Sequence, residues 1–123
     1  MGAVQTVLIA DDETIFAMML KKGLEIHGYK VCASVSSGEA AILAAREHCP
    51  ACILLDIHLN GRIDGFEAAR QIRRFCPSPI LFITGYPEDY VEDEAERVEN
   101  SRVLFKPVNA TLIDEAIKSL IPA

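Results

Sequence analysis

Long apolar runs are missing from this chain. Its longest unbroken apolar stretches are about five to six residues, against the roughly 20 that a membrane-spanning helix needs. No basic-then-apolar leader opens it, so neither membrane insertion nor secretion is expected, and the expected location is cytoplasmic. Basic charge is scarce as well. Twelve Lys and Arg stand against eighteen Asp and Glu, a net charge of −6, and a field of that sign disfavours direct contact with nucleic-acid phosphates. Low-complexity tracts, long linkers and internal repeats are also lacking. With 50% hydrophobic and 24% charged residues, the composition is that of a folded globular chain rather than a disordered one.

Cysteine is too sparse, and the setting too reducing, for a disulfide framework. The four are Cys32, Cys49, Cys52 and Cys76. Cys49-Pro50-Ala51-Cys52 has C-x-x-C spacing, but it closes a helical pattern where a redox pair would open one, and no second C-x-x-C completes a zinc site. Small buried hydrophobes are the expected role.

What is present fits one compact domain. A chain of 123 residues can bury a real core without staples and leaves no room for a second domain, so residues 1–123 are expected to form a single unit. Short apolar runs recur at Val7–Ala10, Val31–Val35, Cys52–Leu55, Ile80–Ile83 and Val103–Phe105. Four of the five are nearly continuous in apolar character, as strands of a parallel sheet covered on both faces should be. Helical patterns alternate with them. Phe16, Met19, Leu20, Gly23 and Leu24 recur at three- and four-residue spacing before Gly28 offers a stop. Ser36 with Glu39 reads as a capping box, opening a helix to about Glu47. Asp64 caps a third helix, whose Arg70, Arg73 and Arg74 suit its negative end. Pro87 suits the first turn of a fourth, and Leu112, Ile113, Ala116, Ile117 and Leu120 mark a fifth. Five βα units predict an α/β fold with a parallel sheet.

Each run then ends on chemistry. Val7–Ala10 leads into Asp11 and Asp12, Cys52–Leu55 into Asp56, Ile80–Ile83 into Thr84, and Val103–Phe105 into Lys106. Parallel strands share one carboxyl edge, and open α/β sheets bind ligands beyond it. Three carboxylates gathered there repel one another unless a cation neutralises them, which points to Mg²⁺ or Mn²⁺ on oxygen ligands. A lysine and a hydroxyl opposite could bind phosphoryl oxygens, and one aspartate could attack phosphorus.

These residues resemble the receiver domain of two-component response regulators. The likeness is carried by Val7-Leu8-Ile9-Ala10-Asp11-Asp12-Glu13, Leu54-Leu55-Asp56-Ile57, Asp64-Gly65-Phe66-Glu67, Ile83-Thr84-Gly85 and Phe105-Lys106-Pro107, in order across nearly the whole chain. It implies a flavodoxin-like (βα)₅ doubly wound sheet of strand order 2-1-3-4-5. It also implies that Asp56 accepts a phosphoryl group from a phosphohistidine on a histidine kinase or histidine phosphotransfer protein. Asp12 resembles the direct Mg²⁺ ligand, Asp11 acts mostly through water, and the backbone carbonyl of His58 supplies a further ligand. Thr84 resembles the switch hydroxyl, Lys106 the lysine of the family, and the Lys106–Pro107 bond is expected to be cis. Phosphorylation would then bias a two-state surface on the fourth helix, fifth strand and fifth helix.

Three features depart from the family pattern. Val103 stands where an aromatic usually precedes the lysine by three, which puts the usual rotamer readout in question. Asn60 replaces a common proline, and Asp64-Gly65 arrive one position late. His58 and Tyr86 border the expected phosphoryl site, either tuning hydrolysis or lying there as exposed loop side chains. The acidic run Glu88, Asp89, Glu92, Asp93, Glu94, Glu96 and Glu99 reads first as a solvated helix face. A sharper reading has it suit a basic partner and weaken helix-to-helix pairing by like-charge repulsion; separately, a monomer or weak dimer is expected.

Two other classes compete. A small aspartate-nucleophile phosphohydrolase would want Asp-x-Asp where Asp11-Asp12-Glu13 stand, and Gly23–Lys30 lacks the Gly-Lys-Ser or Gly-Lys-Thr of a phosphate loop. A phosphorylation-independent module would not need all five site residues.

Overall fold

The computed structural model describes residues 5–85 and 90–121. Five strands alternate with five helices: β1 (Thr6–Ala10), α1 (Thr14–Ile26), β2 (Lys30–Val35), α2 (Gly38–His48), β3 (Cys52–Asp56), α3 (Gly65–Arg73), β4 (Ile80–Thr84), α4 (Val91–Glu96), β5 (Ser101–Phe105) and α5 (Ala110–Leu120). All pairings are parallel and the sheet order is β2-β1-β3-β4-β5. This is the flavodoxin-like doubly wound arrangement.

The continuous apolar runs have a direct cause. Successive side chains of a strand point to opposite faces, so a sheet covered twice needs apolar residues at every position. Leu8, Ile53, Leu55, Ile80 and Phe82 face a layer built with Ala41, Ala45, Phe66, Ala69 and Ile72 of α2 and α3, together with Val91 and Ala95 of α4. Their neighbours Val7, Ile9, Leu54, Leu81 and Ile83 face the other way, against Ala17, Leu20 and Leu24 of α1 and Ile113, Ala116 and Ile117 of α5. β3 and β4, flanked on both sides, are buried at every residue, whereas β2 at the sheet edge is not buried at any. That edge position explains the polar Ser34 in an otherwise apolar run.

Helix ends follow local chemistry, with one correction. The cap of α2 is Ser37, not Ser36; its Oγ accepts from the Ala40 amide at 3.1 Å. Glu39 does not reach back to close a box. Its Oε2 accepts the Arg62 amide at 2.9 Å and so ties α2 to the loop that follows β3. Asp64 caps α3 as expected, accepting the Glu67 amide at 2.9 Å. Asn109, which the sequence pattern did not single out, does the same for Leu112 at the start of α5. Gly28, at φ +95°, ends α1 in a conformation that side chains resist. The fourth helix is shorter than the acidic run, so Glu99 lies beyond it. Pro87, Tyr86, Glu88 and Asp89 lie outside the described residues.

The cysteines are free and dispersed: Cys52 and Cys76 are buried, Cys32 is half-buried and Cys49 exposed. Burial pushes the Cys52 thiol up to about 12, the opposite of a reactive thiol. Among the described residues no helix is long and apolar enough to cross a membrane.

One contact fixes the outlet of β3. Gly65, the first residue of α3, donates its amide to the Ile57 carbonyl at 2.8 Å. A Cβ there would stand 2.3 Å from the Asp56 carbonyl oxygen and 2.8 Å from the Ile57 Cα. Both obstacles are backbone, so nothing flexible can yield. Gly65→Ala is therefore expected to destabilise the fold by about 1–3 kcal/mol, the ordinary scale of overpacking, and to displace the Asp56 amide resonance. Urea unfolding and amide spectra measure both, and an unshifted Asp56 signal in a variant of wild-type stability would contradict the close approach.

Candidate functional site

The four strand ends converge at the carboxyl edge of the sheet. Asp11 leaves β1 with its amide bonded to the Val35 carbonyl at 2.9 Å, and Asp56 closes β3 beside Ile83 of β4. Thr84 closes β4 in register with Phe105, and its carbonyl accepts the Lys106 amide at 2.7 Å. The Lys106–Pro107 bond that follows is cis, as the resemblance implies. Asp11, Asp56 and Thr84 are buried.

Lys106 is the hub. Its Nζ lies 3.0 Å from Glu13 Oε1, 3.3 Å from Asp11 Oδ2 and 3.4 Å from Asp56 Oδ2. It also sits 4.5 Å from the ring centroid of Phe16, over the ring face. The opposite oxygens of the two aspartates are held by local amides: Glu13 N–H on Asp11 Oδ1 at 2.8 Å, His58 N–H on Asp56 Oδ1 at 3.1 Å. These bonds orient both carboxylates with one oxygen toward the ammonium.

Asp11, Asp12 and Asp56 each offer an oxygen atom, and the three lie within 4.8 Å of one another. Oxygen-only donors at that spacing suit a hard divalent cation. The cleft above them holds about 320 Å³ and is lined by Asp12, Glu13, Asp56, His58, Gly85 and Lys106, room for a phosphoryl group with water.

Electrostatics record the crowding. Burial first, and the charge of Asp11 second, push the Asp56 carboxyl up to about 6, although Lys106 and the His58 amide pull against them. Burial likewise raises Asp11, opposed by the Glu13 amide and Lys106. For Lys106, burial works to lower the ammonium, but Glu13, Asp56 and Asp11 together outweigh it and the net shift is upward.

The expected residues Asp11, Asp12, Asp56, Thr84 and Lys106 are thus brought to one edge. His58 contributes its amide there while its side chain is exposed. Val103 does not line the cleft; it packs half-buried against the layer containing Val91, Ala95 and Val98. Pro107 follows the lysine, and Tyr86 lies outside the described residues. Among the described residues, Glu13 and Phe16 touch Lys106 without having been assigned roles from sequence. The available signal was their place directly after Asp12 and one helical turn into α1.

The raised carboxyl has a pH consequence in the metal-free protein. Asp56 titrates at 3.8 when unperturbed and at about 6 in the fold, so folding favours its neutral form. The stability it contributes is full below 3.8 and is lost as pH rises through about 6. Asp56→Asn, neutral throughout, is expected to be more stable than wild type by about 1–3 kcal/mol at pH 8 without divalent cations. The gap should close toward pH 4. Urea unfolding at the two pH values checks this, and equal stability at pH 8 would refute it.

Comparison with known proteins gives a consistent picture. A family model described as the response regulator receiver domain matches residues 7–118. The chain is similar to the transcriptional regulatory protein AfsQ1 of Streptomyces coelicolor, 32% identical over 94% of this chain and 51% of that protein. It is also similar to YvrH of Bacillus subtilis, 33% identical over 85% of this chain and 44% of that protein. A protein-glutamate methylesterase/protein-glutamine glutaminase of Natronomonas pharaonis is 30% identical over 80% of this chain and 27% of its own length. The chain therefore spans about half or less of the curated relatives it matches. Among solved structures, the signal receiver domain of a modulated diguanylate cyclase from Desulfovibrio desulfuricans superposes with a TM-score of 0.88 at 34% identity, covering 97% of this chain and 94% of that one.

Proposed function

The chain belongs to the response regulator receiver family of two-component signalling, and from that premise we propose that it takes a phosphoryl group onto Asp56 from a phosphohistidine of a histidine kinase or histidine phosphotransfer protein. The nitrogen–phosphorus bond of the donor breaks as an oxygen–phosphorus bond to an Asp56 carboxylate oxygen forms, and the histidine keeps the electron pair. The observation that carries the reading is the Asp56 carboxylate 3.4 Å from Lys106 Nζ, at the mouth of a cleft shared with Asp12.

Asp11, Asp12, Asp56 and the His58 carbonyl would hold Mg²⁺, or Mn²⁺ in its place. The crowded oxygens and the raised Asp56 carboxyl fit such an ion. Bound there, the cation supplies charge neutralisation for the carboxylates and the phosphoryl oxygens. Lys106 turns its ammonium from the carboxylates to a phosphoryl oxygen, where it stabilises the charge that develops in transfer. Thr84 supplies a hydroxyl to another oxygen. The acceptor gains about −1.5 to −2 charge and three acceptor oxygens, enough to reorganise both loops.

We assign this role to the whole of residues 1–123, as a single receiver unit acting in the cytoplasm as a monomer or weak dimer. Partner binding is switched on the side of α4, β5 and α5. The net charge of −6 favours a protein target over direct nucleic-acid contact.

Intact-protein mass after incubation with acetyl phosphate and Mg²⁺ tests this. The expected result is one added phosphoryl group, absent in Asp56→Asn and absent without the cation. Asp12→Asn should weaken Mg²⁺ binding at least ~10-fold, since a direct ligand costs no less than an outer-shell partner. A chain that neither gains phosphoryl nor binds beryllofluoride would instead be a phosphorylation-independent module, and steady turnover of a phosphate ester would make it a phosphohydrolase.

A further inference from the structure

Four described residues lie against the Lys106 ammonium, and two of these contacts stay available once the site is in use. Asp11 and Asp56 hold it at 3.3 and 3.4 Å, but those oxygens are the ones that a cation and a phosphoryl group would engage. The remaining two are Glu13, at 3.0 Å, and the face of Phe16, at 4.5 Å from the ring centroid. Both come from the start of α1, Glu13 as its cap residue and Phe16 one turn in. They are not equal. The Glu13 side chain is 63% exposed, so water screens its pull, whereas the lysine side chain over the ring is only 14% exposed.

The ring is itself anchored. Phe16 packs on the buried layer that contains Leu20, Leu24 and Ile113, in company with Val108 and Ala110 just after Lys106. Gly23 keeps that side of the molecule tight, since a Cβ there would lie 2.5 Å from the Ala110 Cβ. The segment that carries the lysine and the helix that carries the ring are thereby held in a fixed relation.

We propose that Phe16 is a positioning residue for Lys106: the face of its ring seats the ammonium at the mouth of the cleft, so that the lysine is already in place when a phosphoryl group arrives. A seat without hydrogen-bond acceptors holds the charge by its quadrupole alone and leaves all three N–H donors free to face oxygen. A carboxylate in the same place would compete with the phosphoryl oxygens for them. The location of the ammonium is a property of the fold; its effect on transfer rests on Asp56 being the phosphoacceptor.

The test combines lysine side-chain NMR with phosphorylation kinetics. In protein carrying isotope-labelled lysine, with the signal assigned through Lys106→Arg, the Lys106 Hε resonance should lie upfield of the other lysines through the ring current. Phe16→Leu should abolish that displacement and slow phosphorylation by acetyl phosphate about three- to tenfold, with Mg²⁺ affinity unchanged. Phe16→Tyr, which keeps the face, should retain both the shift and the rate. An ordinary Lys106 resonance in the wild type overturns the proposal without any variant. So does a Phe16→Leu protein that phosphorylates at the wild-type rate, or one whose Mg²⁺ affinity falls in step with its rate. A wild-type chain that takes no phosphoryl group overturns the phosphoacceptor reading instead, and the resonance then decides the seat alone.

Discussion

Like charges forced together at the end of a parallel sheet are the constraint on which this molecule turns. Asp11 and Asp56 are buried side by side because β1 and β3 are adjacent in the sheet and run out in register, Ala10 beside Leu55. One ammonium is shared between them, and it does not suffice: burial and mutual repulsion leave Asp56 with a carboxyl raised to about 6. Such an arrangement works against the stability of the metal-free chain. It is the kind of local conflict that functional sites retain and well-packed cores do not. The remainder of the structure reads as the support that keeps the conflict in place, from the doubly covered sheet to the close approach of Gly65 behind Asp56.

That support is why so much was legible beforehand. A strand covered on both faces must be apolar at every residue, so β1, β3 and β4 announced themselves as short continuous runs, and the residue that ends each run had to fall on the shared edge. Asp11, Asp56, Thr84 and Lys106 could be placed together for this reason alone, with no knowledge of any contact. The fifth helix was equally clear, because α5 buries Ile113, Ala116 and Ile117 on one side.

What escaped the sequence were contacts whose partners are distant along the chain. Glu39 three residues after Ser36 has the form of a capping box, yet the cap is Ser37 and the Glu39 carboxylate serves Arg62, 23 residues on. Arg73 suits the negative end of α3 as expected. Its guanidinium does more, however, donating to the backbone carbonyls of Ser78 and Glu99 across the next βα unit, each at 2.7 Å. Phe16 falls on the buried stripe of α1 by its spacing, and nothing in that spacing says that a lysine 90 positions later rests on its face. Periodicity reports which side of an element is covered. It does not report by what.

The same distinction bears on Val103. An aromatic at that position would report the state of Thr84 by turning in or out, and valine has no such range. The ends of β4 and β5 are nevertheless bonded to each other at the point that matters: Thr84 is in register with Phe105, and its carbonyl accepts the Lys106 amide at 2.7 Å. That backbone bond ties the outlet of β4, which carries the threonine, to the residue that carries the ammonium. Under the proposed phosphorylation, movement of either toward a phosphoryl group would draw on this bond and on Phe105, which is 37% exposed and, two residues from Val103 on β5, faces the same side of the sheet. Lys106 is also the residue that Phe16 seats, so α1 and the outlet of β5 meet at a single ammonium. On the proposed function, a route from Asp56 to the surface would run through this backbone pairing and the placement of one charge, neither of which needs an aromatic at position 103.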